Sequence, residues 1–126
     1  MGGWWIIKAG VVAGLAAFAL SALPQNDMNP LLQLRAQMGD APAQYQLAML
    51  HYQKEASVEE KARTLRLFQK AAGKGMAQAE FMLGNMYYKG YGELQSDEVV
   101  AVEWYRKAAD HGSMDAEYVL GALYTE

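Results

Sequence analysis

The sequence predicts an all-α fold, a short right-handed solenoid of αα-hairpins preceded by one N-terminal transmembrane or signal helix. Three observations predict it. First, a block recurs. It runs Ala79-Glu80-Phe81-Met82-Leu83-Gly84-Asn85-Met86-Tyr87-Tyr88-Lys89-Gly90-Tyr91-Gly92, then again from Ala116 through Gly121 to Tyr124. Each copy follows a doubled alanine and a glycine, Ala71-Ala72 before Gly75 and Ala108-Ala109 before Gly112, and these glycines stand 37 residues apart. A weaker copy starts 36 residues before Gly75, with Gly39, Ala43, Tyr45, Leu47 and Ala48. A period of this length is one helical hairpin that hides its apolar flank only by stacking on its neighbours. Second, Ala79, Leu83 and Tyr87 fall four residues apart, which makes one buried helical stripe. Third, no apolar–polar alternation of strand length occurs.

Composition narrows the class. A chain of 126 residues is one domain by default, and a hydrophobic content of 52% is enough for a core. Fourteen acidic and eleven basic residues give a net charge of −3, which weighs against nucleic acid as a partner. There is no cysteine, so disulfides, thiolate zinc sites and a lipoprotein anchor are excluded. The charge is uneven: residues 24–75 carry seven basic and five acidic side chains, residues 76–126 three and nine.

Residues 1–23 form the first segment. Trp4 to Leu23 is apolar apart from Lys8 and, as a helix, matches the thickness of a hydrocarbon core. Two readings compete. A cleaved signal peptide uses Lys8 as its charge and Ala9–Ala22 as its apolar region. A retained anchor puts Trp4 and Trp5 at the interface and lets Lys8 snorkel. Bulky aromatics ahead of the lysine favour the anchor. So does the small-residue face of Gly10, Ala13, Gly14 and Ala17, where another membrane helix can approach closely. In both readings the positive N-terminal flank leaves the remainder exported. The expected location is the bacterial inner membrane, single-pass, with a cytoplasmic N-terminus and a periplasmic repeat domain; the alternative is periplasmic or secreted after cleavage.

Residues 24–29 are a linker and 30–126 the solenoid. Asn29 caps a helix with Pro30 at its first turn, and this helix ends near Gly39. By register Leu31, Leu32 and Ala36 match Leu67, Phe68 and Ala72, which makes it the second, or B, helix of an incomplete hairpin. Ala41 to about Lys54 is the first A helix. Ser57 with Glu60 is a capping box that starts a B helix over Val58–Ala72. Met76–Tyr88 is the second A helix, ended by Gly90 and Gly92 where positive φ is tolerated. Asp97 caps Glu98–Asp110, in which Glu103 and Lys107 are an i,i+4 pair. Ala116 onward is the third A helix.

Ala79, Leu83-Gly84, Tyr87, Gly90-Tyr91-Gly92, Asp97, Ala101, Trp104-Tyr105-Arg106-Lys107-Ala108-Ala109 and Gly112 resemble the Sel1-like repeat (SLR), an αα-solenoid family related to tetratricopeptide repeats. The first copy departs from it. Ala48 stands for the glycine, His51 for the tyrosine and Leu67-Phe68 for Trp-Tyr, and Glu55-Ala56-Ser57 replaces the loop. The resemblance implies that ligands are held on the inner face of the A helices. Setting aside the core stripe leaves Gln46, Met49, Tyr52, Met82, Asn85 and Tyr88 there. Gly84, Gly121 and Ala48 remove bulk where the paired helix must come close, while Phe68, Trp104 and Tyr105 fill the gaps.

No catalytic signature appears, and neither an enzyme nor a cofactor is expected. His51 reads as a packed side chain at a repeat-tyrosine position. His111 sits at a helix C-terminus where its charge is welcome. Two further binding surfaces are expected. Arg63, Arg66, Lys70 and Lys74 share a helix face, as a plain solvated surface or one that meets acidic protein or anionic lipid. Val119, Leu120 and Leu123 are expected as an apolar edge at the C-terminal end, covered by another protein or by self-association. The function expected is a non-enzymatic adaptor or accessory subunit docked on a larger membrane or envelope complex. The alternative is a secreted soluble module binding peptides or cell-wall ligands.

Overall fold

The computed structural model describes residues 29–125. The apolar segment with its Gly10, Ala13, Gly14 and Ala17 face lies outside them, as do the linker residues 24–28. The described residues form six helices: α1 (Pro30–Gln37), α2 (Ala41–Tyr52), α3 (Val58–Ala72), α4 (Ala77–Lys89), α5 (Glu98–Asp110) and α6 (Met114–Tyr124). Each packs mainly on its neighbours in sequence, as a solenoid requires. No strand is present among these residues; Tyr91 and Leu94 form one isolated bridge.

The helix starts follow local chemistry. Asn29 Oδ1 accepts from the backbone N–H groups of Leu31 (3.1 Å) and Leu32 (3.3 Å). Ser57 and Glu60 close a reciprocal capping box, and the Asp97 carboxylate accepts from Val100 N–H. The turns between B and A helices use Gly39, Gly75 and Gly112, all at positive φ. Glu103 and Lys107 do not pair as expected: Lys107 Nζ lies 4.5 Å over the Trp104 ring instead.

Three clusters make up the core. The first joins Ala36, Ala43 and Leu47 to Leu32. The second stacks Ala48, Phe68 and Ala71 on Ala79, Met82 and Leu83. The third gathers Ala101, Tyr105, Ala108 and Ala116. The repeat logic is visible in the pairing of bulk with absence of bulk. Phe68 is fully buried beside Ala48, and the Tyr105 ring lies so close over Gly84 that an added Cβ there would be 2.5 Å away. Tyr45 stacks edge-on to Phe68 and Phe81 tilts against Tyr105, with centroids 6.0 and 5.7 Å apart. Tyr118 is the third member of the Tyr45–Phe81 series. It is 80% exposed.

Candidate protein-interaction surfaces

Successive A helices place equivalent residues in rows. Gln46, Met49 and Tyr52 on α2 correspond to Met82, Asn85 and Tyr88 on α4. Their environments differ. Gln46 and Tyr88 are exposed, and Met49 and Tyr52 are half-buried. Tyr52 packs between Phe68 and Tyr91, at centroid distances of 6.1 and 5.4 Å. Met82 is only 9% exposed and belongs to the core, because α3 brings Phe68 and Ala72 into the same cluster. The expectation of Met82 as a contact residue is therefore corrected.

A polar cluster completes this surface. Tyr105 O–H donates to Asn85 Oδ1 at 2.7 Å. Burial, with a smaller contribution from neighbouring Tyr88, pushes the Tyr105 phenol up to about 12. The Tyr105 hydroxyl therefore remains a donor and fixes the Asn85 side chain. Tyr45 is also raised, by burial first and then by the Asp115 carboxylate, which puts the first turn of α6 within electrostatic reach of α2. Burial likewise raises Tyr91, with Thr64 partly offsetting it.

The basic face of α3 divides. Arg63, Arg66 and Lys70 are exposed and have no ion-pair partner among the described residues. They border a groove of about 470 Å³ between α1 and α3, floored by Ala36, Leu47 and Leu67. Half-buried His51 lines the same groove. Lys74 leaves the stripe: its ammonium donates to the Gly39 carbonyl, tying the end of α3 to the preceding turn.

The last helix also differs from expectation. Val119, Leu120 and Leu123 are half-buried against the Ala101–Tyr105–Ala108 cluster rather than exposed. The exposed large apolar side chains of α6 are Met114 (80%), Tyr118 (80%) and Tyr124 (62%). Arg106 holds Tyr124, its guanidinium donating to the phenol oxygen and lying 5.7 Å over the ring.

One contact escaped sequence reasoning. His111 Nδ1 lies 2.5 Å from Glu80 Oε1, and the Glu80 side chain is 2% exposed. The two residues are 31 apart, and no local spacing announces them. The pair lines a groove of about 430 Å³ with Trp104 and Lys107. Among the described residues no group of three or more His, Cys, Asp or Glu side chains is placed to hold a metal ion. Nor is any described helix long and apolar enough to cross a membrane.

The Sel1 repeat matches twice, at residues 41–76 and 77–113. These limits coincide with α2–α3 and α4–α5, each with its closing turn. No curated protein sequence matches. A protective antigen of uropathogenic Escherichia coli with an SLR fold superposes with a TM-score of 0.67 and 29% identity over 75% of this chain. A Sel1 repeat protein from Oxalobacter formigenes superposes with a TM-score of 0.65 and 34% identity over 73%. The chain spans 20% and 26% of the lengths of those two proteins. It belongs to the Sel1 repeat family, whose helical fold is a typically non-catalytic scaffold for protein–protein interaction.

Proposed function

We propose that this chain is a non-enzymatic adaptor or accessory subunit that holds a partner protein on the A-helix rows and docks onto a larger membrane or envelope complex. One observation carries the reading. Gln46 on α2 and Tyr88 on α4 are exposed on the A helices of adjacent repeats, and Tyr88 stands one turn from an Asn85 already oriented by Tyr105. A side chain held in place loses less entropy on binding, and tyrosine suits interface contacts. The segment Trp4–Leu23, with Lys8 near its start, supports anchoring in the bacterial inner membrane and a periplasmic repeat domain.

Photocrosslinking tests the surface. A benzoylphenylalanine at position 88 captures the partner in intact cells, whereas one at Val99, 72% exposed on α5, does not. Equal capture at both positions overturns the assignment. Intact mass of the native protein tests the anchor. Loss of the first twenty-odd residues means a secreted module instead.

A further inference from the structure

The B helices leave grooves between them. One runs between α1 and α3, floored by Ala36, Leu47 and Leu67 and rimmed by Arg63, Arg66 and Lys70. Its counterpart one repeat on lies between the end of α3 and α5, where Ala72, Trp104 and Lys107 line it. That second groove is open although a complete hairpin stands on either side of it. The opening therefore belongs to the spacing of the B helices and not to an end of the chain. What differs between the two grooves is charge. In the register of Arg63, Arg66 and Lys70, α5 carries Val100, Glu103 and Lys107. The one lysine kept there lies over the Trp104 ring. In α3 Leu67 replaces that ring, and Lys70 is exposed with no ion-pair partner among the described residues, like Arg63 and Arg66. Stacking of the repeats does not call for this row of cations, since the next B helix stacks without it.

We infer that the α1–α3 groove is a docking site for a short acidic segment of another protein, held extended with carboxylates at alternate positions and apolar side chains between them. The spacing fits. Arg63 to Lys70 covers about 10 Å of helix axis. Alternate residues of an extended chain are about 7 Å apart and point the same way. Two carboxylates thus face the row together, and the arginine forks can take them bidentately. The apolar side chains between them turn the other way, toward the floor. A groove of about 470 Å³ takes a segment of a few residues. Glu60 also lines it, but its Oε2 already accepts from Ser57 N–H, so it does not neutralise the row. Cations in line suit several anionic groups in line better than the single phosphate of a lipid headgroup. The chain itself is a poor source of the occupant. Residues 1–28 contain one acidic side chain, Asp27. The described acidic side chains lie on helices, in helix caps or singly in loops, so none forms an extended acidic run. The groove lies among the B helices, and the inference is independent of the A-helix rows and of the anchor.

A fluorescein-labelled peptide, Ser-Asp-Leu-Asp-Leu-Asp-Ser, is the probe, and its binding to the full-length chain in a mild nonionic detergent is followed by anisotropy. The expected result is saturable binding that weakens with salt and falls about tenfold in Arg66→Glu and in Lys70→Glu. Both side chains are exposed and unpaired, so the variants keep the circular dichroism spectrum and lost binding is not lost folding. Lys89→Glu, an equal change of charge on the exposed end of α4, leaves the affinity unchanged. The isomer Ser-Asp-Asp-Asp-Leu-Leu-Ser binds several-fold more weakly. Absence of saturable binding, an equal loss in Lys89→Glu, or equal affinity for the isomer overturns the site. Saturable binding of a short-chain phosphatidylglycerol that Arg66→Glu abolishes, without peptide binding, gives the groove to a lipid headgroup and overturns the acidic segment. Self-association of the full chain that Arg66→Glu abolishes gives it to a second copy, with the same consequence.

Discussion

Gly84 lies under the ring of Tyr105, where a Cβ would come within 2.5 Å of two ring carbons. The ring has nowhere to go, since Tyr105 is 2% exposed and its hydroxyl is held by Asn85. Alanine is favoured over glycine in a helix by about 1 kcal/mol. Overpacking a filled core costs about 1–3 kcal/mol. Gly84→Ala therefore has a net destabilising effect of about 1 kcal/mol, read as a lower urea midpoint. Gly121→Ala, at the same repeat position but with open space around it, goes the other way and gains up to about 1 kcal/mol. Parallel shifts in both variants would mean that the close approach is not what selects glycine at position 84.

The same tyrosine sets an alkaline limit. Its phenol titrates ordinarily at 10.0 and is pushed up to about 12 in the fold. Between those values the unfolded chain has lost this proton and the folded chain still holds it. The contribution from neutral Tyr105 is thus complete below pH 10 and is lost as pH rises toward 12. Denaturation midpoints measured across this window fall for the wild type and fall less for Tyr105→Phe, which has no proton to lose. Identical slopes for the two proteins would remove Tyr105 from the account.

Much of this fold is legible in the sequence because solenoid contacts are local and repeated. Gly75 and Gly112 mark equal turns, Ser57 and Asp97 mark helix starts, and small residues mark the close approaches. What stays hidden depends on neighbours one helix away. Met82 reads as surface by register, yet Phe68 and Ala72 of the preceding helix bury it. Lys74 reads as one of a basic stripe, yet it reaches back 35 residues to Gly39. Val119, Leu120 and Leu123 read as an open edge, yet α5 shelters them and the exposed ridge is Met114 and Tyr118. Periodicity gives a residue's row and leaves open how far the adjacent helix leans over it.

His111 and Glu80 make a second testable pair. The carboxylate is 2% exposed and the imidazole 49%. Removing the ring in His111→Ala leaves a buried acceptor without its partner, which costs about 1–3 kcal/mol. Glu80→Gln is milder, because an amide removes the buried charge and can still hydrogen-bond to the ring. The first repeat already uses it: Gln44 occupies the equivalent position, and its Nε2 donates to the Ala36 carbonyl at 3.0 Å. In a double-mutant cycle, His111→Ala costs less in the Glu80→Gln background than alone. Strict additivity would show that the contact carries no coupling.

The starts of the two complete B helices are secured differently. Ahead of α5, Gly90 and Gly92 turn the chain at φ 81° and 62°. Tyr91 and Leu94 bond to each other, and Asp97 N–H donates to the Tyr87 carbonyl at 2.6 Å. Ahead of α3 that loop is missing, and the capping box is what fixes the first turn: Glu60 N–H to Ser57 Oγ at 3.3 Å and Ser57 N–H to Glu60 Oε2 at 2.9 Å. Ser57→Ala breaks one arm of the box and costs about 1 kcal/mol. Asp97→Ala removes its side-chain cap but keeps the backbone bond to Tyr87, so it costs less. Amide exchange separates the two cases, with faster exchange through the first turn of α3 in Ser57→Ala and little change at α5 in Asp97→Ala. Equal fraying of both helices would mean that the loop contributes nothing beyond its cap.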